Sequence, residues 1–161
     1  MELIDNVNET LAEDLKQTIK AKSKIAIAAS CFSIYAYQEL KEQLENIDQL
    51  QFIFTSPTFT TEKAKKEKRE FYIPKLNRER SLYGTEFEVK LRNELSQKAI
   101  AKECAEWIKQ KVVFKSNQTN QIMSGFVNVD DTSYMPIQGF TTVDLGCEQG
   151  TNAYNIVNKI E

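Results

Sequence analysis

At 161 residues, 41% hydrophobic and 27% charged, the chain is long enough for one folded domain that buries roughly two-thirds of its unfolded surface. A net charge of −2 favours no class of partner, and the absence of histidine removes the commonest general base near neutral pH and the commonest metal ligand. Three scattered cysteines, Cys31, Cys104 and Cys147, exclude a CxxC zinc site and a disulfide framework, and they fit buried thiols in a reducing cytosol.

The acidic start, MELIDNVNETLAEDL, reads as neither a secretory signal nor a membrane anchor, so a cytoplasmic protein without membrane partners is expected. Thr10 to Ala21 reads as a helix. Thr10 and Glu13 have capping-box spacing, and Leu11, Leu15 and Ile19 form an apolar stripe. Lys24 to Ser30 is a short apolar run that suits a buried strand. Ser33 is placed to cap a second helix running to about Asn46, with Tyr37, Leu40, Leu44 and Ile47 on one face. Leu50 to Thr55 reads as a second strand. Strand, helix and strand in this order predict a βαβ unit and a parallel pair. Ser30, Cys31 and Ser33 then follow the first strand, and Thr55 and Ser56 the second. Ligands bind beyond the carboxyl ends of strands in open α/β sheets, although helix capping explains Ser33 equally well.

Pro57 breaks the pattern, and from Thr61 to Arg80 the chain carries a net +4, leaving −6 for the rest. Lys63, Lys65, Lys66, Lys68 and Arg69 read either as a solvated helix face with Glu62–Lys66 pairing or as a phosphate-contacting arm interleaved with Phe71 and Tyr72. Arg78 and Arg80, beside a turn, are the better candidates for phosphate, which Arg grips bidentately.

Thr85 and Glu88 repeat the capping-box spacing ahead of a long helical pattern to Lys111, with a register shift near Ser96. Val112 to Lys115 reads as a strand, and Ser116 to Gln121 as a polar loop. Phe126 to Val129 and Tyr134 to Gln138 are expected to pair across an Asp130-Asp131 turn, with Pro136 making the second an edge or irregular strand. Cys147 to Ile160 reads as a weak closing helix. The abrupt end at Glu161 suggests a domain excised from a longer protein.

The five glycines form no GxxxxGK[ST] and no GxGxxG, so this chain carries no glycine loop for a triphosphate and any ATP-driven motor would lie outside it. Without histidine no Ser-His-Asp or Cys-His arrangement is possible. Asp130 and Asp131 are adjacent and point to opposite faces of any strand, which favours a turn over a shared catalytic site. No metal is expected at Asp130, Asp131 and Asp144, whose spacing does not suggest a site, and no cofactor is expected in this domain.

Lys24 to Lys41, Leu50 to Thr60, Phe71 to Lys109 and Gly125 to Gly146 together resemble the N-terminal phospholipase-D-like domain attached to some bacterial superfamily-two helicases. The resemblance implies a mixed sheet between helices, with a C-terminal hairpin where active relatives carry HxKxxxxD. In them the His attacks a phosphodiester, the Lys stabilises phosphoryl oxygens and the Asp orients the His. If Asp130 holds the Asp place, Met123 and Gly125 hold the other two; if Asp131 does, Ser124 and Phe126 do. Neither register supplies a nucleophile or a cation. Gly139 to Thr142 resembles the polar loop after the motif, which brings Thr141 and Thr142 into the degenerate site. The resemblance therefore implies a non-catalytic domain that binds or positions DNA for a helicase motor elsewhere in the polypeptide, and a homodimer. Two alternatives stand beside it. One is an interaction or dimerisation module without DNA affinity. The other is a nuclease with an unusual nucleophile such as Cys31, Tyr134 or Cys147.

Overall fold

The computed structural model describes residues 1–55, 94–119, 121–148 and 156–161, with the backbone alone for 94–97. Its elements are β1 (Glu2–Ile4), α1 (Leu11–Thr18), β2 (Lys24–Ala29), α2 (Ile34–Glu39), α3 (Lys41–Leu44), β3 (Gln49–Phe54), α4 (Glu94–Lys111), β4 (Val112–Ser116), β5 (Gly125–Val129), β6 (Thr132–Ile137) and β7 (Val157–Ile160). The strands form one seven-stranded mixed sheet in the order β1-β7-β6-β5-β2-β3-β4. β2, β3 and β4 are parallel, and the remaining pairings are antiparallel.

The predicted βαβ unit is present. Ile25 and Ile27 of β2 alternate with Lys24 and Ala26, so one set of side chains reaches the core and the other the opposite face. Thr10 makes the expected capping box: its hydroxyl accepts from Glu13 N, and the Glu13 carboxylate accepts from Thr10 N. Ser33 caps α2 by accepting from Tyr35 N at 3.1 Å and Ala36 N at 3.4 Å. The expected second helix is broken at Leu40, whose φ of −106° and ψ of 11° interrupt the helical path between α2 and α3. The apolar face survives the break, because Tyr37, Leu40, Leu44 and Ile47 are all buried.

The described helices pack on the face formed by Ile25, Ile27, Leu50, Phe52, Phe54, Val127, Val129 and Tyr134. Phe32 sits at the centre of this core, edge-on to Phe52 and Phe114 and stacked on Trp107 of α4. Trp107 Nε1 donates to Leu44 O at 2.9 Å, which satisfies both the indole and an end carbonyl of α3. α4 is continuous across Ser96; the expected capping box at Thr85 and Glu88 lies outside the described residues.

Three expectations change. β1 was not anticipated; its three residues become a strand through pairing with β7. Residues 157–160 form β7, not helix, because β6 offers an open antiparallel edge and the segment alternates, with Val157 buried and Ile160 exposed. β6 is an interior strand despite Pro136. Its ladder to β7 stops at Met135, and its register to β5 shifts between Gly125 and Val127, so the ring sits where both ladders are interrupted.

A polar network lies under the antiparallel half. Tyr134 Oη donates to Asp14 Oδ2 at 2.5 Å and lies 2.7 Å from Thr18 Oγ1. Lys159 Nζ pairs with Asp14 Oδ1 at 3.2 Å. α1, β6 and β7 are thereby fastened together by groups that satisfy one another. No described helix is long and apolar enough to cross a membrane.

Candidate functional site

Because β2, β3 and β4 are parallel and β1 and β6 run in the same direction, five carboxyl ends emerge together. The segments leaving β2 and β6 meet there: Ser30 N donates to Gln138 O at 2.8 Å, Phe140 N to Cys31 O at 2.9 Å, and Ser33 N to Phe140 O at 2.9 Å. These two strands are separated in the sheet by β5, and they meet only because β5 starts at Gly125. A Cβ on Gly125 would lie 2.1 Å from Ile137 O and 2.9 Å from Ala28 O, so the convergence leaves no room for a side chain.

Gly139 is a second point of close approach. A Cβ there would lie 2.7 Å from Cys31 Sγ and 2.9 Å from Asp144 Oδ2. A thiol and a carboxylate thus converge on one glycine at the crevice. The Thr141 hydroxyl donates to Asp144 Oδ2 at 2.6 Å and accepts from Asp144 N at 3.2 Å, which closes the turn. Thr142 Oγ1 donates to Glu148 Oε2 at 3.0 Å. Both threonines are buried. The turn is tied to the start of α1 through Asn6, which donates to Asp144 O and accepts from Leu11 N. Gly146 takes φ 80°, and a side chain there would strike Asn6.

On the parallel side, Asn117 closes the crevice. Its amide donates to Thr55 O and Gln121 O, and its oxygen accepts from Thr119 N and Thr119 Oγ1. Asn117 itself is buried, and it closes a side-chain turn onto Thr119.

The predicted site residues separate into three groups. Thr141 and Thr142 lie at the crevice as buried, engaged hydroxyls, with Ser124 exposed just before β5 and Phe126 half-buried within it. Asp130 and Asp131 lie at the other end of β5, five residues from Gly125 and so roughly 17 Å away. Asp130 takes φ 51° and accepts from Ser23 Oγ at 2.8 Å and Lys24 N at 2.9 Å. It anchors the hairpin turn to the amino end of β2, as the turn reading predicts. Neither register of the family motif thus brings its acidic place to the crevice. Asp144 is likewise remote from Asp130 and Asp131, and no cluster of metal-ligating side chains occurs among the described residues. Lys63, Lys65, Lys66, Lys68, Arg69, Arg78, Arg80 and Ser56 lie outside the described residues.

The unusual nucleophiles fare differently. Tyr134 is fully buried, and burial together with the Asp14 carboxylate raises its phenol well above the usual range. Burial pushes the Cys104 thiol up to about 12. Cys147 is exposed as a residue, yet desolvation of its sulfur and the neighbouring Glu39 carboxylate push it up to about 12. Neither Tyr134 nor Cys147 is activated for attack. Cys31 is half-buried, at the crevice and beside a carboxylate.

Sequence reasoning missed the Cys31–Gly139–Asp144 convergence. The signal available was the pair of turn-rich segments following two strands, but only the β2–β6 contact brings them together. No family model matches the chain, and no curated protein and no solved structure is significantly similar to it.

Proposed function

We propose that this is a catalytically degenerate phospholipase-D-like domain that binds or positions DNA for an ATP-dependent helicase motor carried elsewhere in the polypeptide. The observation that carries the reading is Gly125. One register of the family motif asks for a lysine at this position, and the backbone there admits no Cβ. The crevice groups described above, a thiol, carboxylates and hydroxyls, include neither a histidine nor a cation. Crevice chemistry of this kind supports a scaffold more than a cleaving site, and leaves DNA contact to the basic run. Fluorescence anisotropy with labelled single- and double-stranded DNA tests this. Salt-sensitive binding weakened by Arg78→Ala/Arg80→Ala is expected, and absence of binding at low salt refutes it.

A second reading, an interaction or dimerisation module, is favoured by a different observation. The charges of the antiparallel half, Glu2, Lys159 and Glu161, engage one another and Asp14 on the helix-covered face. Leu3, Met135, Ile156 and Ile160, all exposed, stand on the opposite face of the same strands. Light scattering at several protein concentrations distinguishes the readings: a tight dimer abolished by Leu3→Lys, without DNA affinity, supports the second.

A further inference from the structure

The pleat of the sheet sends Lys24 and Ala26 of β2, Gln49 and Gln51 of β3 and Asn128 of β5 to the face opposite the described helices. There they border an open depression of about 590 Å3 that Asp130 and Asp131 close at one end. It lies at the amino ends of β2 and β3, away from the crevice. Ala26 forms its floor, in register with Gln51 on one side and Asn128 on the other. Adjacent strands are about 4.8 Å apart, so the two amides rise from backbones about 10 Å apart across a methyl group. Such a trough takes a flat ring lying on Ala26 with an amide at each edge. Asn128 Oδ1 accepts from Ser133 Oγ at 2.7 Å, which leaves Nδ2 as the donor facing the trough. The side chains of Lys24, Gln49, Gln51 and Asp131 have no hydrogen bond or ion pair among the described residues. Lys24 lies two residues along β2 from the floor, about 7 Å from it.

We propose that this depression binds an adenylate unit. The base lies on Ala26, and the Gln51 amide pairs with its adjacent donor and acceptor, as amides read adenine elsewhere. Asn128 meets the other edge, Lys24 faces the phosphate and Asp131 accepts from a sugar hydroxyl. The unit is either a free nucleotide or a residue of a single RNA strand. This site does not depend on the DNA-positioning reading, which rests on Gly125 and the crevice at the far end of the sheet and on the basic run outside the described residues.

The test is an amide-detected NMR titration with adenosine monophosphate and with hexa-adenylate RNA, and with inosine monophosphate and inorganic phosphate as controls. Saturable shifts confined to the amides around Lys24, Ala26, Gln51 and Asn128 are expected. Saturation by the mononucleotide assigns a free ligand; saturation by the RNA alone assigns a strand, and either supports the site. Inosine monophosphate binds several-fold more weakly, because it lacks the amino donor. Ala26→Leu fills the trough and Gln51→Ala removes the reading amide, each weakening binding by about ten-fold. Gln51 is exposed, so its variant remains decisive if Ala26→Leu fails to fold. No saturation by either ligand at millimolar concentration, equal shifts with inorganic phosphate, or unchanged binding in Gln51→Ala overturns the proposal.

Discussion

Asp130 is assigned here as the anchor of the β5–β6 hairpin, and that assignment has a measurable size. Its carboxylate accepts from the buried Ser23 hydroxyl and from Lys24 N, on a backbone at φ 51°. A hydrogen bond to a charged group contributes about 1.5–3 kcal/mol, and exposure of Asp130 to solvent brings the two bonds together to about 2 kcal/mol. A residue without a short polar side chain adds about 1 kcal/mol in the left-handed region. Asp130→Ala is therefore expected to lose about 3 kcal/mol, and Asp130→Gly, which relieves the dihedral, about 2 kcal/mol. Asp130→Asn tolerates the dihedral and retains one acceptor, so it loses about 1 kcal/mol. Urea unfolding of the three variants with an unchanged slope gives the differences directly. In thermal unfolding each kcal/mol corresponds to about 2–4 °C at this chain length. The reasoning fails if alanine and glycine are equally destabilising, or if all three variants stay within about 0.5 kcal/mol of the parent.

Gly125→Ala should cost about 1–3 kcal/mol through overpacking against Ile137 O and Ala28 O, with Gly125→Lys more severe; parent-like urea midpoints would contradict the convergence of β2 and β6. Tyr134→Phe removes the donor to buried Asp14 and should cost about 1.5–3 kcal/mol, read by the same denaturation, and an unchanged midpoint would mean the network does not form. Hydrogen bonds from Val7 N and then Asn8 N hold the Asp5 carboxyl at about 2, below its ordinary 3.8. Its folded-state value is the lower one, so its stabilisation is full above about pH 4 and is lost as the pH falls towards 2. Asp5→Asn should flatten the acid side of the stability profile in that window, and an identical slope would refute the assignment.

Much of this fold was legible because local and long-range preferences agree. Thr10 and Glu13 announce α1, the apolar run from Lys24 announces β2, and the Asp130-Asp131 pair announces a turn. Where they disagree, the sequence misleads. Glu2 to Ile4 and Val157 to Ile160 have no strong local preference; Val157 to Ile160 becomes strand on the edge that β6 offers, and Glu2 to Ile4 then pairs on the edge of β7. Pro136 argues against an interior strand, and only the interruption of both ladders reconciles it. The candidate site was the least legible. Thr141, Thr142, Asp130 and Asp131 are close in sequence, yet one hairpin carries them to opposite ends of the sheet. Cys31 and Asp144, more than a hundred residues apart, are brought to the same glycine by a contact that no periodicity encodes.

The most direct test of the DNA-positioning account is the salt dependence of DNA affinity, measured by anisotropy for the parent and for Arg78→Ala/Arg80→Ala. Each lost phosphate contact lowers the slope of log affinity against log salt by about 1, so the double variant should show a slope shallower by about 2. A parent that binds with no salt dependence, or a double variant with an unchanged slope, would contradict the account.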